Sequence, residues 1–421
     1  METKIITDNG VELYSYPNTN LHSFCLSLYV KYGCLYERED ESGLAHLIEH
    51  TVFRNIDHLV DGELSHILDK HGLTFNATTY KEFIHFYING SPTHFNLAAD
   101  IFSKVLSPIA MTVKELEIEK KRVKAEIRED NYRTTLDCFS NEIIWKGTPL
   151  TRSICGTCKS VDSISKSRLA EYKKCIFSLK NIFFYVTGNI NKDNINYLAS
   201  KIEQYSLSEG KTNDNCVKVP DGFYNRNGSV YLKNCNYSVV RFSFDIETAK
   251  YSDAEMELFF DVMFSGDSCV IFQNLSEKSG LIYGYDARFS KYNNIGNIYF
   301  SYEVHSTKLY ESIEIVVESL NKLKQEVGGR INYIKAPYID NAMIMYDNPE
   351  EFNWSRAYEV HILNCEYTDI DDRIKAFASV TAEDLTQIAV DVLKKDNLVV
   401  TLKGNKKKID LNKIRSIVSK I

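Results

Sequence analysis

Two spacings of apolar residues recur along this chain. Near its start, short alternating runs flank Asp8-Asn9-Gly10, and this pattern predicts two strands joined by a tight hairpin. From Gly10 to Val30 the order reads as a strand, a polar break and a second strand. Asp61 to His71 has helical spacing, and Gly72 stands where a left-handed C-cap belongs. Ser91-Pro92 supplies the N-cap and first-turn pairing that opens another helix. The run Phe83 to Ile88 (FIHFYI) alternates like a strand and leaves His85 on either a solvent face or a site face. Lys114 to Asn131 (KELEIEKKRVKAEIREDN) is dense in strong helix formers and i,i+4 ion pairs such as Arg122 with Glu126.

This order occurs twice, about 217 residues apart. Gly228 to Ile246 repeats the strand, break and strand of Gly10 to Val30. Arg168 to Lys180 runs as a helix into the apolar strand Ile182 to Asn189 (IFFYVTGN), and Ala382 to Lys395 runs into Leu398 to Asn405 (LVVTLKGN). The closing Gly188-Asn189 and Gly404-Asn405 pairs lie 216 residues apart. Between the copies, Ser206 to Asn227 holds Gly210, Asn213, Asp214, Asn215, Pro220 and Gly222, the composition of a linker. The expected organisation is a half spanning 1–205, a linker at 206–227 and a homologous half at 228–421. Each half is expected to be α+β, a mixed and mainly antiparallel sheet with helices packed on one face.

Composition narrows the function classes. A chain of 421 residues with 44% apolar content can fill two cores. Its net charge of −7 comes without any Lys/Arg stripe interleaved with aromatics, so nucleic acid is not an expected partner. The one basic cluster, Lys406 to Lys408, reads as a solvated turn. No apolar run approaches a membrane span, and the start METKIITDNG lacks a signal-peptide core, so a soluble, cytoplasmic protein with no membrane association is expected. Ten cysteines are then expected to be reduced, although Cys155-Gly156-Thr157-Cys158 has dithiol spacing and leaves a redox reading open.

The chemistry concentrates in His46-Leu47-Ile48-Glu49-His50. Histidines four apart on a helix share one side, so both imidazoles can reach one tetrahedral Zn²⁺, and Glu49 points the same way. This is the H-x-x-E-H arrangement of inverted zinc peptidases, in which the metal polarises a water and the carboxylate takes its proton. A pair of structural histidines on an amphipathic helix would give the same five letters. A third ligand must come from elsewhere; Glu119 and Glu126 share a face two turns apart on the later charged helix, where most carboxylates belong to a solvated surface.

The flanking residues make the pattern specific. Tyr32-Gly33 and Tyr36-Glu37 precede the motif, Gly43-Leu44-Ala45 leads into it and Phe53 closes it. Gly72 to Thr78 (GLTFNAT) and Pro149 to Thr157 follow, and Glu126 comes after His50 with 75 residues between them. With these features the whole chain resembles the pitrilysin/insulinase family of zinc metallopeptidases. The resemblance implies two copies of the fold that mitochondrial processing peptidase typifies, and one Zn²⁺ held by His46, His50 and Glu126. It also implies Glu49 as general base, Glu119 as a support for the ligands, and a substrate peptide added as a strand along Phe75, Asn76 and Ala77. The matching stretch of the second half, Ser252 to Phe264 (SDAEMELFFDVMF), has no histidine, so one metal site is expected per chain.

One position departs from the family. Active members carry in the second half an arginine and, seven residues later, a tyrosine that together steady the tetrahedral intermediate. Here Tyr283 stands at the tyrosine position and Ser276 at that of the arginine. A hydroxyl cannot replace a forked guanidinium, and loss of such a contact costs about 10²–10³ in rate. Either Lys278 or Arg288 serves instead, or a second chain contributes the pair, and the expectation is a dimer with a paralogous subunit or a homodimer. The functional expectation is a zinc endopeptidase, or the zinc-bearing subunit of one, acting on extended or leader peptides. The alternative is a non-catalytic peptide-binding or assembly subunit.

Overall fold

Eleven strands form two sheets in the computed structural model, which describes residues 2–129, 135–211, 216–264, 266–365 and 369–421. The first sheet comprises β1 (Thr3–Ile6), β2 (Glu12–Pro17), β3 (Phe24–Val30), β4 (Thr74–Thr79), β5 (Ile84–Gly90) and β6 (Ile182–Gly188) in the order β1-β2-β6-β3-β5-β4. The second comprises β7 (Ser229–Asn234), β8 (Ser238–Ile246), β9 (Tyr285–Lys291), β10 (Gly296–Val304) and β11 (Leu398–Gly404) in the order β7-β11-β8-β10-β9. Among the described residues, only β2 with β6 and β11 with β7 are parallel pairs. Leaving out β1, the two orders superimpose strand for strand, so the repeat in the apolar pattern is a repeat of topology. The hairpin at Asp8-Asn9-Gly10 joins β1 to β2, with Gly10 at a φ of 91°.

Helices cover one face of the first sheet. The principal ones are α1 (Leu44–Leu59), α2 (Leu64–His71), α3 (Phe95–Phe102) and α4 (Val113–Glu129). Leu26, Leu28, Ile84, Phe86, Ile88 and Phe184 point into this core, where Leu47, Ile48 and Val52 of α1 meet Leu116 and Val123 of α4. The opposite face is covered as well. Tyr29, His85, Phe183 and Tyr185 are buried there beneath the helix Pro349–Arg356 and the turn that continues it to Ile362. Asn353 clamps this contact: its amide donates to the carbonyl oxygens of Tyr185 (2.9 Å) and Cys25 (3.4 Å) and its oxygen accepts from the Tyr29 hydroxyl (3.0 Å). Both faces being covered explains why β3 and β6 are buried along their whole length rather than alternately.

The chain divides into two compact units that are not contiguous in sequence. The first contains Met1–Asn131, Arg152–Asp214 and Met343–Asn364, and the second Tyr132–Thr151, Asn215–Ala342 and Cys365–Ile421. The second sheet is covered in the same manner as the first, by Leu136–Ile144, where Ser140 Oγ lies 2.6 Å from Thr401 Oγ1 and Asp137 pairs with Arg241. Each contiguous half of the sequence therefore carries one helix that belongs to the other half's sheet. Apolar periodicity cannot reveal this, because it reports that a face is buried and not which distant segment buries it.

Local expectations hold with shifted ends. The helix before Gly72 starts at Leu64, after a turn at Asp61-Gly62, and Gly72 caps it at a φ of 60°. Ser91-Pro92 opens a short turn that runs into α3. The stretch from Ser206 to Asn227 holds neither helix nor strand among the described residues, with Asn213, Asp214 and Asn215 outside them, as is Asn131 beyond α4. His85 faces neither solvent nor the metal motif; it is stacked on Tyr29 and lies 3.0 Å from Ser27 Oγ.

Candidate metal centre

Three features place the motif at the head of α1. Glu37, buried in the preceding loop, accepts hydrogen bonds from the backbone N–H groups of Gly43 (2.9 Å) and Ala45 (2.7 Å), which satisfies donors that a helix start leaves unpaired. Gly43 takes a φ of 86° and Gly156 one of 69°. A Cβ on Gly43 would lie 2.6 Å from the Cys155 carbonyl oxygen, and one on Gly156 would lie 2.5 Å from that of Ser42. Two glycines are thus what lets the Cys155 loop press against the start of α1, one turn from His46. Across the core from α1, α4 presents Glu119 and Glu126.

The side chains converge. Glu126 Oε2 lies 3.1 Å from His46 Nε2 and 3.4 Å from His50 Nε2. His50 Nδ1 lies 3.9 Å from Glu119 Oε2, while Glu119 Oε1 accepts from Arg54 Nε (2.9 Å) and Arg122 Nη1 (3.1 Å). Glu49 Oε2 lies 3.5 Å from His46 Nδ1 and accepts from the Thr79 hydroxyl at 2.6 Å. Cys155 Sγ is 3.7 Å from Glu126 Oε1, and donor atoms of His46, Glu126 and Cys155 lie within 4.8 Å of one another. Among the described residues, both groups of three or more side chains able to hold a metal are here, in the first unit.

The electrostatics tests whether a divalent cation fits. Burial alone would lower the His46 pKa, but contacts with Cys155, Glu126 and Glu49 push it up to about 12. Burial opposes charge on His50 too, yet Glu119 and Glu126 raise it. In the other direction the two imidazoles hold Glu126 well below the carboxylate range, and His46 with Thr79 outweighs the effect of burial on Glu49. The carboxylates therefore favour the protonated form of both imidazoles. A dication supplies the same positive charge with the imidazoles neutral, and two ring nitrogens with a carboxylate are a donor set that zinc accepts.

The predicted site residues are otherwise placed as follows. Phe75, Asn76 and Ala77 lie on β4, the edge strand beside β5; Asn76 is exposed, Ala77 is buried against the helices, and Phe75 packs on Phe53 and Phe102. Tyr283 belongs to the second unit and is fully exposed. Ser276 lies on the same unit and is half-buried, Lys278 donates to Asn274 and Arg288 pairs with Asp286. Cys155 and Cys158 are not joined by a disulfide, and Cys158 opens a short helix that Thr157 caps. His58 pairs with Glu115 and His71 packs on His94, away from the motif residues named above. Sequence reasoning missed Thr79, Arg54 and the proximity of Cys155. Of these, only Cys155 carried a signal, its spacing to Cys158, and that signal pointed to a different chemistry.

Comparisons with known proteins agree with this arrangement. Residues 15–158 match the family model for insulinase (peptidase family M16), and residues 163–328 match the model for the M16 inactive domain. The chain is 24% identical over 342 residues to an uncharacterized zinc protease of Rickettsia bellii, covering 79% of each. It is 24% identical over 186 residues to the mitochondrial-processing peptidase subunit beta of Caenorhabditis elegans, covering 44% of this chain and 41% of that protein. Among solved structures, a protease from Helicobacter pylori superimposes with a TM-score of 0.82 at 17% identity, covering 96% of this chain and 99% of the other. An M16 inactive-domain protein of Pseudomonas fluorescens does so with a TM-score of 0.83 at 13% identity, covering 96% and 98%.

Proposed function

We propose, from the premise that this chain belongs to the insulinase family (peptidase family M16), that it is a zinc-dependent endopeptidase, or the zinc-bearing subunit of one, acting on extended peptides. The observation that carries this reading is the convergence of His46, His50 and Glu126 beside a half-buried Glu49. Those three residues would hold the ion, one per chain. Zinc, when bound there, polarises water and carbonyl groups.

The rest falls to the chain's own groups. Glu49 takes a proton from the attacking water and returns it to the leaving amine. The Thr79 hydroxyl fixes the carboxylate that does this, and Glu119, braced by Arg54 and Arg122, orients His50. Because β4 is an edge strand, its backbone can pair with a substrate segment and select extended peptides over folded ones, with Phe75, Asn76 and Ala77 alongside. Ser276 leaves the intermediate without a guanidinium from this chain at that position. The reading therefore includes a paralogous partner, or a second copy, that supplies an arginine–tyrosine pair; the relation to a processing-peptidase beta subunit supports this.

The test is metal content and cleavage of a quenched-peptide library, with and without the nearest paralogue. Glu49→Gln is expected to keep zinc and lose cleavage, and His46→Ala to lose both. Cleavage unchanged in the Gln variant would remove the proposed base. Ser276→Arg is expected to raise the activity of the chain alone if the missing guanidinium limits it. A second reading, a non-catalytic peptide-binding or assembly subunit, draws on Ser276 and the inactive-domain match of residues 163–328. It requires no cleavage in either the presence or the absence of the paralogue.

A further inference from the structure

The three-ligand set leaves one side chain of the cluster unused. Cys155 Sγ sits 3.7 Å from Glu126 Oε1, and it shares with His46 and Glu126 a group of donor atoms within 4.8 Å. It has no disulfide partner. Its position is imposed by the backbone, since the contact of Gly43 with the Cys155-Gly156 peptide bond leaves no room for a side chain between loop and helix. Within that group His46 is only 6% exposed, and its Nε2 lies 3.1 Å from Glu126 Oε2. A buried imidazole beside a free thiol and a carboxylate is a donor set that zinc accepts.

We propose that Cys155 is a fourth protein ligand of the ion, so that the resting centre is His46, His50, Glu126 and Cys155. This rests on the metal-site reading given above. The thiol gives its proton to solvent as the ion binds, and the thiolate is a stronger and softer donor to zinc than water. Four protein ligands make a closed tetrahedral site, whereas hydrolysis needs an open position. The resting chain is thus held inactive at its own metal, and peptide cleavage requires the Cys155 side chain to rotate its sulfur off the ion.

X-ray absorption at the zinc edge of the full chain, loaded with one zinc, reads this directly. One sulfur at about 2.3 Å beside nitrogen and oxygen at about 2.0–2.1 Å is expected. The sulfur shell should vanish in Cys155→Ala and persist in Cys158→Ala. The cobalt(II)-substituted protein should show a thiolate-to-metal charge-transfer band that Cys155→Ala lacks. A bound zinc with only nitrogen and oxygen neighbours overturns the inference and leaves the proposed function standing, and a sulfur shell retained in Cys155→Ala overturns it equally. Failure to bind stoichiometric zinc overturns both. Should Cys155→Ala not fold, the wild-type spectrum still decides whether sulfur is bound. With the metal retained, Cys155→Ala is also expected to cleave peptides faster than the wild type.

Discussion

Thr79 shows how much a single hydroxyl contributes at this site. It lies at the end of β4, is buried, and donates to Glu49 at 2.6 Å, so it ties the proposed base to the edge strand that would carry the substrate. A hydrogen bond to a charged group is worth about 1.5–3 kcal/mol. Thr79→Val is therefore expected to lower kcat by about 10- to 100-fold with zinc content unchanged, and to move the acid limb of the rate profile upward because the carboxylate loses a donor. Steady-state kinetics across pH, with metal analysis of the same samples, checks it. Gly156 belongs to the same scale. Its φ of 69° and the 2.5 Å approach of a Cβ to Ser42 mean that Gly156→Ala should cost about 2 kcal/mol or more in urea unfolding and loosen the loop at His46. His46, Glu49 and His50 were legible as a site because helix geometry fixes their relation within five residues. Thr79 was not, since nothing local connects a strand threonine to a helix glutamate 30 positions earlier.

At the scale of elements, the centre depends on α1 and α4 packing side by side through Leu47, Ile48, Leu116 and Val123, which sets Glu126 opposite two imidazoles. The equivalent helix in the second unit, Asp253–Phe264, follows β8 as α1 follows β3 and carries no histidine, so duplication of the fold did not duplicate the metal site. The helix Pro349–Arg356 lies in the second half of the sequence and packs in the first compact unit. Its Asn353 is fully buried and satisfies two carbonyl groups and the Tyr29 hydroxyl. Asn353→Ala leaves those groups unpaired in an apolar layer, at a cost of about 2–4 kcal/mol. The expected outcome is a lower unfolding midpoint, with faster proteolysis within 343–364 than in the wild type; an unchanged midpoint would show that the aromatic stack, not the amide, holds the helix.

Across the whole molecule, stability and pH are coupled through buried groups distant from the metal residues in sequence. Burial pushes the His85 pKa down to about 3 from an ordinary 6.5. The unfolded chain then binds the extra proton between those values, so this contribution is complete above pH 6.5 and falls by about 1.4 kcal/mol per unit as the pH drops toward 3. Glu82 has the opposite sign: burial raises it to about 8 from 4.5, so its contribution is complete below pH 4.5 and is lost as the pH rises toward 8. Urea titrations at pH 4, 6 and 8 are expected to show His85→Gln flattening the acid limb and Glu82→Gln gaining stability at pH 8 with none at pH 4. Failure of the Glu82 variant to gain at pH 8 would mean that its carboxylate is better solvated than its 6% exposure implies. At this scale the sequence by itself determined the α+β class, the twofold repeat, the single metal motif and its family, because each is written in periodicities and spacings of a few residues or in a constant offset. Only the tertiary structure decided which helix covers which sheet, that Thr79 holds Glu49, and that a thiol from the Cys155 loop faces His46. Those contacts join segments far apart in the chain, and their partners are chosen by packing and close backbone approach, which leave no periodic trace along the sequence.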